Sequence, residues 1–203
     1  IVKIFKNTYK YENIRFAGED VRTGDLVVKK GSALRPADIG MLAALGRAFV
    51  SVYQKPRVAI MSTGDELVDI EIEPPPGKIV NSNSFSLAAQ VMECGAIPIM
   101  LGIVKDKKTD LREAFKTALH ADLMISSGGV SVGDFDFVKN VMGEIGNAMH
   151  FWRVAMRPGK PLAFGEVRRE EGGSAWFVGL PGNPVSAVVT FLMLVRPFVL
   201  RLQ

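Results

Sequence analysis

The densest group of chemically capable residues is Ser126-Ser127-Gly128-Gly129-Val130-Ser131-Val132-Gly133-Asp134-Phe135-Asp136. Glycines let backbone N–H groups come close to an anion, and a helix start just beyond the loop adds a favourable dipole. The two carboxylates act the other way, because they repel a bare phosphate. The combination is coherent when a metal ion stands between carboxylate and phosphate. A second reading also fits these residues: Asp136 as the N-cap of the following helix, with the glycines forming a tight turn.

Further acids stand at comparable places. Thr63-Gly64-Asp65-Glu66 and Asp106 each follow an apolar run, as the glycine loop does. Carboxylates that converge need a metal or cationic partners, since like charges raise each other's pKa. Arg153, Arg157 and Lys160 are the cations placed to hold anionic oxygens. The plainer alternative is a set of solvated charges at loop ends.

The elements that must position these groups are strand–loop–helix units. Near-continuous apolar runs at residues 57–61, 97–104 and 121–125 predict parallel strands covered on both faces. Helices are predicted over residues 85–93, 109–120 and 137–145 from apolar positions at helical spacing. Repeated β–α units imply right-handed crossovers, with ligands bound outside the C-terminal strand ends. Residues 63–66, 106 and 127–136 should then share one edge. Beyond residue 150 the pattern predicts strands at 151–155, 162–165 and 175–178, then a last helix with Asn183 as N-cap and Pro184 at its first position. Residues 1–34 alternate in short β-like bursts punctuated by Gly18, Gly24 and Gly31, a helix is predicted at 36–45, and residues 50–53 read as a short strand. Residues 54–56 mark a boundary. The expected organisation is a small, mainly β region with one helix at 1–55, followed by an α/β domain at 56–203.

Composition narrows the function. The chain has 203 residues, 48% hydrophobic and 23% charged, with net charge +4. The positive charges are scattered among acids and do not alternate with aromatics, so a small anionic molecule is a better ligand than nucleic acid. A single cysteine, Cys94, excludes an internal disulfide and fits a reducing, cytoplasmic compartment. His120 and His150 lack ligand-like spacing, which argues against zinc. The longest apolar run, residues 187–195, is too short to span a bilayer and ends at Arg196, so no membrane partner is expected. A start at Ile1 and a stop at Gln203 read as a piece of a longer protein.

Five segments in order carry a resemblance: Thr63-Gly64-Asp65-Glu66-Leu67, Asn81-Ser82-Asn83, Ser127-Gly128-Gly129-Val130-Ser131-Val132-Gly133-Asp134, Arg157-Pro158-Gly159-Lys160-Pro161 and Leu180-Pro181-Gly182-Asn183-Pro184-Val185-Ser186. With Gly18-Glu19-Asp20-Val21, they resemble the molybdopterin molybdenumtransferase family, bacterial MoeA and the E domain of gephyrin. The resemblance implies a three-layer α/β/α domain with a mostly parallel sheet, of the MogA-like molybdopterin-binding kind. It implies insertion of molybdate into the dithiolene of adenylylated molybdopterin, assisted by Mg²⁺, with release of AMP. It also implies a homodimer, contact with molybdopterin adenylyltransferase, and flanking domains that this chain lacks.

Carried over by position, the resemblance implies that Glu66, Asp106, Asp136 and Asp20 are the functional acids. Metal ligation falls to Glu66, Asp106, Asp134 and Asp136. Gly128, Gly129 and Ser131 match the pterin-phosphate loop, and Thr63, Gly64, Asp65, Asn81, Asn83, Ser127, Gly133, Pro181, Gly182 and Asn183 would be further substrate-binding positions. Arg153, Arg157, Lys160, Pro161 and Ser186 would handle molybdate and anionic groups. Arg157 stands where many relatives have lysine; it keeps the charge but cannot give up a proton as lysine can. The general base is open between Glu66 and Asp136. Rival readings are an adenylyltransferase, a competence-damage-type nucleotide enzyme, or a non-catalytic scaffold domain. An isolated piece of the family is expected to bind pterin-AMP weakly and to turn over poorly.

Overall fold

Alternation in the apolar strands builds two cores on one sheet. A computed structural model describes residues 1–3, 5–105, 107–129, 141, 143, 148–169 and 172–203. The sheet has six strands: β1 (Arg57–Thr63), β4 (Ile97–Val104), β5 (Leu123–Ser127), β6 (Ala148–Arg153), β7 (Pro161–Arg168) and β8 (Ser174–Leu180), in the order β4-β1-β5-β8-β7-β6. Two short strands, β2 (Leu67–Val68) and β3 (Ile79–Val80), pair in parallel apart from it. The pairs β1·β4, β1·β5 and β5·β8 are parallel, and β7 runs antiparallel to both β6 and β8.

Successive side chains of a strand point to opposite faces. Val58 and Ile60, Leu123 and Ile125, and Val178 and Leu180 meet α2 (Asn83–Glu93) through Leu87, Ala88 and Val91. Ala59 and Met61, Met124, and Ala175 and Phe177 meet α3 (Lys108–Ala118) through Leu111, Phe115 and Ala118. Helices on both faces of a mostly parallel sheet make the expected three-layer α/β/α architecture.

The last helical stretch packs with α2. It comprises α4 (Pro184–Thr190), a π-helical turn (Phe191–Val195) and α5 (Arg196–Leu202). Phe191, Val195 and Val199, four residues apart, are fully buried in the core on that face of the sheet, and Ala187, one turn earlier, is fully buried too. By length and composition alone, Pro184–Leu202 is long and apolar enough to cross a membrane, although its apolar run alone read as too short.

The chain divides into two units, Ile1–Val52 and Tyr53–Gln203. In the first, α1 (Pro36–Ala44) forms, with Asp38 accepting hydrogen bonds from the Arg35 backbone and side chain. The mainly β character expected for residues 1–55 is corrected: no strand occurs there among the described residues. Its backbone bonds are local, as in Glu12 N to Tyr9 O and Asp25 N to Arg22 O. The bursts at residues 14–16 and 26–28, and the run at 50–53, find no partner ladder, and a lone extended segment leaves its N–H and C=O groups unpaired. The predicted helix at residues 137–145 lies largely outside the described residues.

Candidate functional site

Strand order decides where the site falls. From β1 the chain crosses through α2 to β4 on one side, whereas β5 is reached through α3 on the other side of β1. The C-terminal ends of β1 and β5 therefore flank a topological switch point, where open α/β sheets bind ligands. Thr63 ends β1, and Ser127 ends β5 beside it.

A cleft of about 290 Å³ opens there, lined by Ser62, Thr63, Glu66, Asn81, Asn83, Ser127, Gly182 and Asn183 among others. Asn83, at the start of α2, is its central clasp. Its Nδ2 donates to Ser127 Oγ at 2.7 Å and to the Gly182 carbonyl at 2.8 Å. Gly182 O only accepts, so the amide orientation is fixed and both Asn83 N–H groups are used. Its Oδ1 is buried with no hydrogen-bond partner among the described residues, and so is Thr63 Oγ1. Unpartnered buried acceptors are costly, and two in one cleft suit a ligand bearing N–H or O–H groups.

The glycines have specific roles. A Cβ on Gly128 would stand 2.4 Å from the Thr63 carbonyl oxygen, so the two loops approach as only glycine allows. The Gly128 N–H donates to Leu180 O at 3.0 Å and is therefore committed within the sheet edge. Gly64 is covered by the Glu66 carboxylate, whose oxygens would lie 2.6 and 2.7 Å from an added Cβ. Glu66 and Asp65 are exposed. Lys78 Nζ, which the sequence pattern did not single out, donates to the Asp65 carbonyl, and Glu66 O accepts from Ile79 N at 2.9 Å, so the β2–β3 pair pins this loop.

The cations stand elsewhere on the same edge. Arg153 ends β6 opposite Pro161, which opens β7, so the connection carrying Arg157 and Lys160 emerges on the side of the parallel strands' C-terminal ends. Arg153, Arg157 and Lys160 are exposed and do not line the cleft. Gly159 is buried, and an added Cβ would meet Thr190 Oγ1 at 2.3 Å, so this loop rests on α4. Asn183 caps α4: its Oδ1 accepts from Ser186 N at 3.1 Å and from Ser186 Oγ at 3.3 Å. Pro181 is buried beneath that turn.

Asp106, Ser131, Gly133, Asp134 and Asp136 lie outside the described residues. Asp20 belongs to the first unit, where it pairs with Arg15 at 2.5 Å beside a cavity of about 510 Å³ that Asp25 and Asp38 also line. Among the described residues no group of three His, Cys, Asp or Glu is placed to hold a metal. The residues that sequence reasoning missed are Ser62 and Ser84. Both are fully buried, and each is hydrogen-bonded to Asn81.

A six-stranded, mostly parallel sheet with a polar cleft at its switch point defines a ligand-binding α/β domain. The chain matches the family described as a probable molybdopterin binding domain over residues 59–201, and the MoeA N-terminal region (domain I and II) over residues 1–46. It belongs to that molybdopterin-binding domain family. It is 44% identical over 193 residues to a molybdopterin molybdenumtransferase of Haemophilus influenzae, covering 95% of this chain and 46% of that protein. It is 43% identical to one of Nostoc sp., covering 94% and 44%. The solved structure of a molybdopterin biosynthesis MoeA protein from Pyrococcus horikosii superposes with a TM-score of 0.77 at 33% identity, covering 91% of this chain and 45% of that one. The chain thus spans about half the length of these relatives.

Proposed function

We propose that this chain acts in molybdenum cofactor biosynthesis as the pterin-binding part of a molybdopterin molybdenumtransferase. In this reading it holds adenylylated molybdopterin for molybdate insertion and AMP release. The observation that carries it is the cleft where β1 and β5 end, with two unpartnered buried acceptors set around the Asn83 clasp. A pterin is a neutral heterocycle rich in N–H groups. Thr63 Oγ1 and Asn83 Oδ1 accept from it, and desolvation inside the cleft strengthens those bonds.

The oxygen donors present suit Mg²⁺ rather than a softer ion. Glu66 is the described carboxylate that would hold it, with Asp106, Asp134 and Asp136 completing the proposed set. When bound, Mg²⁺ supplies Lewis-acid polarisation of the phosphate oxygens. Glu66 is also the described candidate for holding a proton during attack on the phosphate. Arg153, Arg157 and Lys160 bind the molybdate dianion and offset the charge that develops. Asp20, the homodimer and contact with the adenylyltransferase belong to the same proposal, as does a reducing cytoplasmic setting for buried Cys94.

Calorimetric titration of adenylylated molybdopterin into this chain tests the reading. Binding is expected to strengthen with Mg²⁺ and to lose that dependence in Glu66→Gln. Absence of binding with and without Mg²⁺ contradicts it.

A further inference from the structure

Three buried polar side chains at the floor of the cleft, of which Ser62 and Asn81 also line it, satisfy one another in a closed ring. Ser62 Oγ donates to Asn81 Oδ1 at 2.9 Å. Asn81 Oδ1 also accepts from the Ser84 backbone N–H at 3.3 Å, which fixes the amide orientation. Asn81 Nδ2 then donates to Ser84 Oγ at 3.0 Å. The remaining contact, Ser62 Oγ to Ser84 Oγ at 2.8 Å, must be donated by Ser84, because the one Ser62 proton is already used. The three side chains are 1%, 3% and 0% exposed, so water does not compete, and hydrogen bonds arranged in a ring polarise one another.

The position of the ring gives it a consequence. Ser62 is the penultimate residue of β1, Asn81 follows β3, and Ser84 lies in the first turn of α2. Asn83 precedes Ser84, and its amide braces two points, Ser127 Oγ and Gly182 O. Those points adjoin the two ends of the hydrogen bond from Gly128 N–H to Leu180 O. A ring that fixes the start of α2 therefore fixes Ser127 and Gly128 against the Pro181-Gly182-Asn183 turn.

We propose that Ser62, Asn81 and Ser84 are positioning residues that hold both walls of the cleft in register through Asn83. The proposal deepens the function above, since it rests on this cleft being the pterin site. None of the three need touch the ligand for the effect.

The test compares Ser84→Ala and Ser62→Ala with Val91→Ala, a core truncation on the same helix outside the ring. Amide hydrogen exchange of Gly128 is read without ligand, and affinity for adenylylated molybdopterin is read by calorimetry. Breaking the ring is expected to speed Gly128 exchange roughly tenfold beyond the change in Val91→Ala, the scale of one lost hydrogen bond. In Ser84→Ala, whose residue does not line the cleft, binding should weaken by a similar factor at equal loss of thermal stability. Adding Asn83→Ala to Ser84→Ala should bring little further change in the Gly128 exchange rate without ligand, because one acts through the other; that rate is the readout for this pair, since Asn83 itself meets the ligand. Gly128 exchange no faster than in Val91→Ala overturns the proposal, as does full additivity with Asn83→Ala. Failure of the unsubstituted chain to bind the pterin counts against the proposed function, while the exchange comparison still decides the role of the ring.

Discussion

Gly128 lies directly against Thr63: a Cβ added to the glycine would come within 2.4 Å of the threonine carbonyl oxygen and 3.4 Å of its hydroxyl. The neighbour is backbone, so it cannot swing away. Gly128 also has φ +85°, where a side chain is strained. Gly128→Ala should therefore destabilise the protein by about 3 kcal/mol, combining left-handed strain with overpacking. Gly102→Ala, at φ +76° with open space around it, should cost only about 1 kcal/mol. Urea unfolding of the two variants measures the difference, and equal losses would show that the close approach is unimportant.

The contact between Gly159 and Thr190 predicts a coupling. Gly159→Ala drives a methyl into Thr190 Oγ1, whose hydroxyl has no partner among the described residues. Thr190→Ala alone should cost little, because no hydrogen bond is broken. Combined with Gly159→Ala it should restore about 1 kcal/mol of the loss. A double-mutant cycle in denaturant reads this coupling, and strict additivity would mean that the cationic loop does not rest on α4.

Much of the sheet was legible because its signals are local. Residues 97–104 read as a strand from a near-continuous apolar run, and β4 spans Ile97–Val104. Asn183 and Pro184 announced the start of α4, and the cap forms there. The first unit was misread because β-like bursts at residues 14–16 and 26–28 say nothing about a partner strand. The site was legible only as a neighbourhood. Thr63, Glu66, Asn83, Ser127 and Gly182 meet in one cleft, whereas Arg153, Arg157 and Lys160 stand on a separate loop of that edge. Ser62 and Ser84 escaped notice because serine is commonplace; their role depends on bonds spanning 19 and 22 residues of chain.

Helix α1 carries a pH dependence. The Arg35 side chain, and then its backbone N–H, hydrogen-bond to Asp38 and hold its carboxyl below the ordinary aspartate value of 3.8. A carboxyl with a lowered folded-state pKa stabilises the fold above its unfolded value, and the contribution is lost as pH falls through the folded value. The Ile39 amide, which bonds to Arg35 O at 3.1 Å, should therefore stay protected at pH 5 and lose protection progressively below 3.8. Asp38→Asn should abolish the pH step, which hydrogen exchange detects.

Cys94 should be a poor nucleophile. Burial pushes its thiol pKa up, against a smaller opposing influence from Arg196, and the side chain is 6% exposed. Alkylation by iodoacetamide at pH 8 should run at least roughly tenfold slower than for a free thiol and rise sharply in denaturant. Rapid alkylation of the native protein would place the thiol at the surface.

The central claim is that the cleft between Thr63, Asn83, Ser127 and Gly182 holds the pterin. A crystal structure with adenylylated molybdopterin bound tests it most directly. The account predicts ligand N–H or O–H groups within hydrogen-bond distance of Thr63 Oγ1 and Asn83 Oδ1, with the Asn83 bonds to Ser127 and Gly182 intact. A pterin bound elsewhere, with both acceptors still unpartnered, would contradict it.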